Sequence, residues 1–190
     1  LLFWYPTVTA ANDDYVRPAV KIEAGAKSAL DPNEELTIRP YVSDDLPRLP
    51  LAAENVTTVV AERTFWDKII ILHGARKWFE KRGVLRHQGQ RVSRHYYDVH
   101  RMLQSGLRTK AAADHELAAD CAAHARMFFN SPDLGLETAT PGTFSLSPTH
   151  AMAEELRRDY TRMVGMIIGE APRFEDVLES IAAFEKELNG

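Results

Sequence analysis

The stretch TTVVAERTFWDKIIILHGARKWFEKRG (57–83) contains the point where the chain changes from strand to helix. Residues 56–60 form a short β-branched run, which is typical of a strand. Gly83 is a stop signal at the far end of the stretch. Between them, apolar residues recur at helical spacing, namely Phe65, Ile69, Leu72 and Phe79. The stretch therefore predicts a strand that ends near residue 60 and a helix over 61–82.

The chain before this stretch has the pattern of β-strands separated by turns. Residues 1–5 (LLFWY) are apolar and aromatic and predict a buried strand. Residues 18–24 and 35–42 alternate between apolar and polar side chains, and Pro40 places the second run at a sheet edge or a strand end. Because the chain opens directly in a strand, with Leu1 rather than Met, we expect it to begin inside a larger protein.

The chain after residue 83 carries four more helical patterns. The first starts at Ser93, a candidate N-cap, and runs to about residue 105, and the second covers 109–130. Ser147 and Pro148 form a cap and first-turn pair for a helix to residue 168, and a last helix starts near residue 173. The sequence therefore predicts an α+β fold, with strands in residues 1–60 and a helical domain in residues 61–190.

The composition is that of an ordinary globular protein. The 190 residues are 45% hydrophobic and 26% charged. Cys121 is the only cysteine, which rules out a disulfide within the chain and suits a reducing compartment. No run of 18 apolar residues exists, so the sequence predicts no membrane span and a cytoplasmic protein.

Charge is distributed unevenly along the chain. The whole chain has a formal net charge of −4, but residues 76–110 hold ten Lys or Arg residues against Glu80 and Asp98, a net charge of +8. A basic block of this kind suits a polyanionic partner such as RNA or nucleotide phosphates. The alternative is a solvated loop with its flanking helices.

Glu23 is the first ionisable residue that stands out on an apolar element. It follows Val20-Lys21-Ile22 near the end of a predicted strand. A carboxylate in that position is able to ligate Mg²⁺, because a rigid sheet holds oxygen ligands in octahedral geometry. The alternative is a solvent-facing strand residue that pairs with Lys21 or a neighbour.

Lys68 and Asp98 are the other two ionisable residues that stand out on apolar elements. Lys68 lies just beside the apolar stripe of the predicted helix 61–82, where its ammonium can meet a phosphate. The alternative is a lysine that extends past the core and pairs with Asp67 or a nearby carboxylate. Asp98 has Arg94 and Arg101 at −4 and +3, so a surface salt bridge within one helix competes with a role in a site.

Other kinds of site are excluded by spacing. His73, His87, His95 and His100 offer no pair at the i, i+4 spacing of a zinc helix, and Cys121 has no second thiol. The sequence also lacks a P-loop, a G-x-G-x-x-G fingerprint and a G-x-S-x-G nucleophile turn.

Several stretches together resemble the AbiEii/AbiGii-type nucleotidyltransferases. They are RPAVKIEAGAK (17–27), TTVVAERTFWDKIIILHG (57–74), VSRHYYDVHRML (92–103), AHARMFFN (123–130) and PGTFSLSP (141–148). The resemblance covers nearly the whole chain. It implies part of a polymerase-β-like nucleotidyltransferase sheet followed by a mostly helical C-terminal part, and the activity of the toxin half of a toxin–antitoxin pair.

The resemblance also assigns roles to the three residues. Glu23 matches an acid that holds Mg²⁺, Lys68 matches a lysine that contacts the phosphates of the NTP, and Asp98 matches the acid of the family's Arg-x-x-x-Tyr-Asp helix. His95 stands where the family often has a second acid. The family's Gly-Ser turn with Asp-x-Asp is absent from this chain, so we expect residues 1–190 to be inactive or incomplete by themselves.

Three functions follow from these observations. The first is an enzyme that transfers a nucleotide from an NTP to an acceptor such as RNA held by residues 76–110, with an antitoxin protein as partner. The second is a non-catalytic helical module that binds RNA or protein. The third is a structural helical domain. A Gly-Ser turn with Asp-x-Asp in the encoded sequence upstream of Leu1 would identify the enzyme.

Overall fold

The predicted change from strand to helix at residue 60 is confirmed in the computed structural model, which describes residues 1–6, 17–25, 29–86, 91–129 and 131–190. Helix α1 spans Ala61–Arg82. It ends at Gly83, which has φ of 67° and donates its N–H to the carbonyl of Phe79. A left-handed residue at this position is readily supplied by glycine, because glycine has no Cβ.

Four strands precede α1 among the described residues and form two separate hairpins. Strands β1 (Leu2–Trp4) and β2 (Ala19–Lys21) pair antiparallel. Strands β3 (Asn33–Ile38) and β4 (Ala53–Val59) also pair antiparallel. Their register, which sets Asn33 opposite Val59, brings the start of β3 next to the start of α1. The α+β fold is therefore confirmed.

The prediction that residues 1–5 are buried is wrong. Trp4 is 61% exposed and Phe3 is 55% exposed, and every residue of β3 is exposed as well. A two-stranded hairpin has two faces, and its side chains are buried only where another layer covers one of them. Strand β3 is also shorter than predicted, because the chain turns into a 3₁₀ segment at Tyr41–Ser43 directly after Pro40.

The helices after α1 are α2 (Ser93–Leu103), α3 (Leu107–Ala113), α4 (His115–Phe128), α5 (His150–Met163) and α6 (Phe174–Asn189). The single helix predicted for 109–130 is two helices, because the Asp114 side chain accepts the N–H of Leu117 and starts a new helix there. Asn130 itself lies outside the described residues. No helix of the described chain has the length and apolar character needed to cross a membrane.

Two predicted helix starts are also corrected. Thr149, rather than Ser147, caps α5, since its side chain accepts the N–H of Met152. Ser93 does not cap α2 with its own side chain but is the first residue of that helix and is buried. Helix α5 ends at Met163, earlier than the predicted residue 168, and continues as a 3₁₀ turn, Val164–Met166.

The core lies between the helices. Phe65 contacts Phe184 edge to face, with ring centroids 5.4 Å apart, and also Trp66 at 5.5 Å. Trp66 is fully buried and donates its indole N–H to the carbonyl of Ala111 at 3.0 Å. Such contacts between α1 and later helices fix the orientation of α1, and with it the direction of the side chains beside its apolar stripe.

Candidate functional site

Lys68 and Asp98 meet between two helices. The Lys68 ammonium on α1 donates to the Asp98 carboxylate on α2, with Nζ 2.6 Å from Oδ2. Lys68 is 21% exposed and Asp98 is 35% exposed. The partner of Lys68 is therefore Asp98 and not Asp67, and it is a nearby carboxylate of the kind that the alternative for Lys68 allows. Asp98 is part of a pair between helices rather than a salt bridge along α2.

His95 is the second neighbour of Lys68. Its Nδ1 lies 3.3 Å from the Lys68 Nζ. Burial, helped by the charges of Lys68 and Arg94, lowers the pKa of His95 to about 3. The ring is therefore neutral at physiological pH, and its Nδ1 lone pair is able to accept an N–H from the ammonium.

The start of α2, which carries His95 and Asp98, is held by a residue that sequence reasoning missed. Asp159 on α5 is 2% exposed and accepts the N–H of Arg91 and the N–H of Ser93, both at 2.8 Å. It also accepts the Ser93 hydroxyl at 2.7 Å. A carboxylate at a helix N-terminus satisfies unpaired N–H groups and interacts favourably with the helix dipole. Asp159 therefore fixes the position of α2 relative to the core.

A signal for Asp159 exists in the sequence. It lies on the buried stripe of α5, between Leu156 and Tyr160. An acid on an otherwise apolar helix face is costly to bury unless donors meet it. That pattern indicates a structural carboxylate, although the sequence does not say which backbone donors meet it.

A cavity of about 480 Å³ adjoins the Lys68 site. One face of α1 lines it with Thr64, Asp67 and Ile71, and α2 contributes His95. His95 thus both borders the cavity and contacts Lys68. Most of the cavity surface is apolar, but burial raises the pKa of Asp67, with a smaller opposing effect from the charge of Arg63.

Glu23 is in a different environment. Its side chain is 73% exposed and pairs with Lys21 at 2.7 Å. The hydrogen bond and charge of Lys21 lower the pKa of Glu23, and the charge of Arg94 on α2 adds to that effect. The charge of Arg94 therefore reaches Glu23 from the start of α2. The direct partner of Glu23 is nevertheless Lys21, as expected for a solvent-facing strand residue. Its assignment as a metal ligand stays a prediction.

The described residues do not make up a Mg²⁺ site. No group of three His, Cys, Asp or Glu side chains in the described ranges is arranged to hold a metal ion. Glu23 and Asp98 are each paired with a lysine. His87 lies outside the described residues. Burial, with the neighbouring Asp67 charge, raises the pKa of the Cys121 thiol to about 12, which disfavours the thiolate that binds metals.

Part of the positive charge in residues 76–110 is paired within the molecule. Arg76 pairs with Glu80 at 2.6 Å, and Arg82 and Arg108 contact Asp133 and Glu187. The guanidinium groups of Arg82 and Arg86 also lie 5.5 Å and 5.2 Å from the centroid of the Trp78 ring. Glu80 is already included in the net charge of +8 counted from the sequence, so the pairs with Asp133 and Glu187 are the ones that reduce the charge this stretch presents to a partner.

Comparison with known proteins gives one match. The model of a family described as "Nucleotidyl transferase AbiEii toxin, Type IV TA system" matches residues 1–180. No curated protein and no solved structure matches the chain.

Proposed function

This chain belongs to the AbiEii nucleotidyl transferase toxin family of type IV toxin–antitoxin systems, and from that premise we propose that Lys68 holds the phosphates of an NTP during nucleotide transfer. The transfer is proposed for the full-length gene product. The observation that carries the proposal is the position of the Lys68 ammonium, between a carboxylate and a neutral imidazole at the edge of a cavity.

The hydrogen bonds of Lys68 leave room for a phosphate. An ammonium has three N–H donors. Among the described residues, Asp98 takes one and His95 takes one, and both are acceptors on α2. The third donor is available to an anionic oxygen. Because Asp98 and His95 fix the ammonium in advance, little ordering is required when the phosphate binds.

Asp98 has a positioning role in this proposal. Its carboxylate lies against the lysine and keeps the ammonium directed. Mg²⁺ supplies charge neutralisation for the triphosphate in the family-based hypothesis. Since the described residues do not form a site for it, no step here is assigned to the metal, and Glu23 as its ligand belongs to the same untested hypothesis.

The acceptor and the protein partner are further parts of the proposal. The family description supports an antitoxin partner. An RNA acceptor along residues 76–110 is supported by their ten basic residues, although internal ion pairs reduce the charge available. A non-catalytic module that binds RNA or protein is the competing function, and it requires no phosphate contact by Lys68.

Lys68→Ala tests the proposal in the full-length protein. A charge-assisted contact to a transferring phosphate contributes several kcal/mol in the transition state, so transfer should slow by roughly 100-fold or more. Lys68→Arg should also impair transfer, because the planar guanidinium does not fit the place of a compact ammonium. Transfer of label from each NTP to RNA, and growth arrest on expression, measure the effect.

Lys186→Ala is the matched control. Lys186 is an exposed lysine in the last turn of α6 and lies outside residues 76–110. Its loss should change stability by less than about 0.5 kcal/mol and leave transfer unchanged. Full activity in Lys68→Ala, with a melting temperature equal to that of Lys186→Ala, would remove Lys68 from the site.

A further inference from the structure

We propose that the cavity beside His95 is the pocket for the base of the nucleotide, and that Asp67 reads an amino group on that base. The proposal rests on the function proposed for Lys68 and deepens it. Lys68 would hold the phosphates, and the cavity, about 480 Å³ in volume, would hold the base.

The position of the cavity supports a nucleotide. His95 lines the cavity and also accepts from the Lys68 ammonium, so the phosphate site and the cavity share a wall. Thr64, Asp67 and Ile71 belong to the same face of α1, next to Lys68. A ligand with a charged end at Lys68 and a planar end in the cavity would lie along this face of the helix.

The surfaces of the cavity suit a flat heteroaromatic ring. Ligand pockets of a few hundred Å³ are mostly apolar with a few polar groups that orient the ligand. Ile71 supplies apolar surface. His124 and Phe129 also line the cavity, with their ring centroids 6.4 Å apart, and Phe129 is 50% exposed. Exposed aromatic rings of this kind are platforms on which bases stack.

Asp67 distinguishes a base from a purely apolar ligand. Burial raises the pKa of its carboxyl group, which shows that its charged form is poorly solvated. A hydrocarbon chain in the cavity would cover Asp67 further and add no hydrogen bond to the one it shares with the Cys121 thiol, which is unfavourable. An amino group of adenine, cytosine or guanine would donate to it. Uracil has a single ring N–H flanked by two carbonyl oxygens, which would repel the carboxylate.

The test measures binding of ATP, adenosine and inorganic tripolyphosphate to the purified full-length protein, without turnover. Two variants reduce the cavity: Ile71→Trp, at a residue that is 41% exposed, and Ala75→Leu, at a partly buried lining residue. Val164→Trp is the matched control, because Val164 is 40% exposed and does not line the cavity. Thermal melts check that each variant is folded.

The expected result separates the two ends of the nucleotide. Ile71→Trp and Ala75→Leu should weaken the binding of ATP by roughly tenfold or more, as steric changes in pockets do. They should leave the binding of tripolyphosphate unchanged. Lys68→Ala should weaken the binding of both ATP and tripolyphosphate. Asp67→Asn should remove an ATP preference over UTP that we expect to be about tenfold, because an amide both donates and accepts.

Two results would overturn the proposal. One is ATP binding by folded Ile71→Trp and Ala75→Leu that equals binding by the Val164→Trp control. The other is an unmodified full-length protein that binds tripolyphosphate as tightly as ATP. If the full-length protein binds neither of these ligands, the function proposed for Lys68 fails, and adenosine binding alone then tests the pocket. Adenosine binding lost in Ile71→Trp would support the pocket, and no adenosine binding would exclude it.

Discussion

The strands before residue 60 and the helices after it differ in how their side chains are covered. All three strand side chains of β1 are exposed, as is every residue of β3, whereas Phe65, Trp66 and Ile69 on α1 are fully buried. The two regions also differ in their carboxylates. Glu23 contacts one lysine in solvent, and Asp159 accepts three hydrogen bonds in the core. Of these two carboxylates, the one that helices surround is the one held by several donors.

The largest effect that this comparison predicts is on stability. Asp159→Ala would leave the N–H groups of Arg91 and Ser93 and the Ser93 hydroxyl without their carboxylate acceptor. Each buried donor left unpaired costs about 1–3 kcal/mol, so we expect a loss of roughly 3 kcal/mol or more. For a chain of this size, that corresponds to a fall in melting temperature of about 6–12 °C.

Glu23→Ala is the counterpart in the strand region. Its ion pair with Lys21 is exposed to solvent, so the melting temperature should stay within about 2 °C of the unmodified protein. Thermal melts followed by circular dichroism measure both variants. Equal decreases in melting temperature for Asp159→Ala and Glu23→Ala would show that the side chains of the two regions are not covered as differently as the structure indicates.

The sequence predicted the helices more accurately than the strands, and the reason is physical. A helix of 22 residues makes about six turns and repeats its apolar spacing along them, so both ends of α1 were predicted to the residue from its spacing and from Gly83. A strand of three residues, such as β1, offers one or two positions per face. An apolar run such as 1–5 predicts a strand, but it does not show whether another layer covers it.

The candidate site was predicted in part. Lys68 was placed beside the apolar stripe by its angular position, and it lies there, partly buried. Its pairing with Asp98 was not predictable, because the pair joins two helices that are brought together by packing between distant residues. Asp67 was predicted only as a partner of Lys68, and its place on the cavity wall depends on how α1 packs against the elements around it.

The second prediction concerns pH and the histidines of the helical region. Burial lowers the pKa of both His73 and His95 below the ordinary value. The Nδ1 of His73 accepts the N–H of Ser145 at 3.1 Å and must be unprotonated to do so. As pH falls below about 6.5, the unfolded chain binds protons at these positions before the folded chain does. Stability is therefore full above that pH and decreases as pH falls toward the folded-state pKa values.

Melting temperatures between pH 8 and pH 5 measure this effect, and we expect a decrease on the order of 5 °C. Protonation of Asp67 changes the stability in the opposite direction as pH falls, because the pKa of Asp67 is raised in the folded state. NMR titration of the imidazole C2 protons separates the contributions, and His95 should show no titration above pH 5. A His95 resonance that titrates near pH 6.5 would show that its ring is exposed and that it does not hold Lys68 as a neutral acceptor.

The smallest effect is expected in the strand region itself. Val20 in β2 is 55% exposed, and Val99 in α2 is fully buried. Val20→Thr keeps the β-branched shape that favours a strand and leaves the new hydroxyl in water, so the free energy of unfolding should change by less than about 0.5 kcal/mol. Val99→Thr places the same hydroxyl in an apolar core and should cost about 1–3 kcal/mol. Urea unfolding of both variants measures the difference. A loss above roughly 1 kcal/mol for Val20→Thr would mean that this face of the hairpin is covered in solution, because no other mechanism makes an exposed Val-to-Thr change that costly.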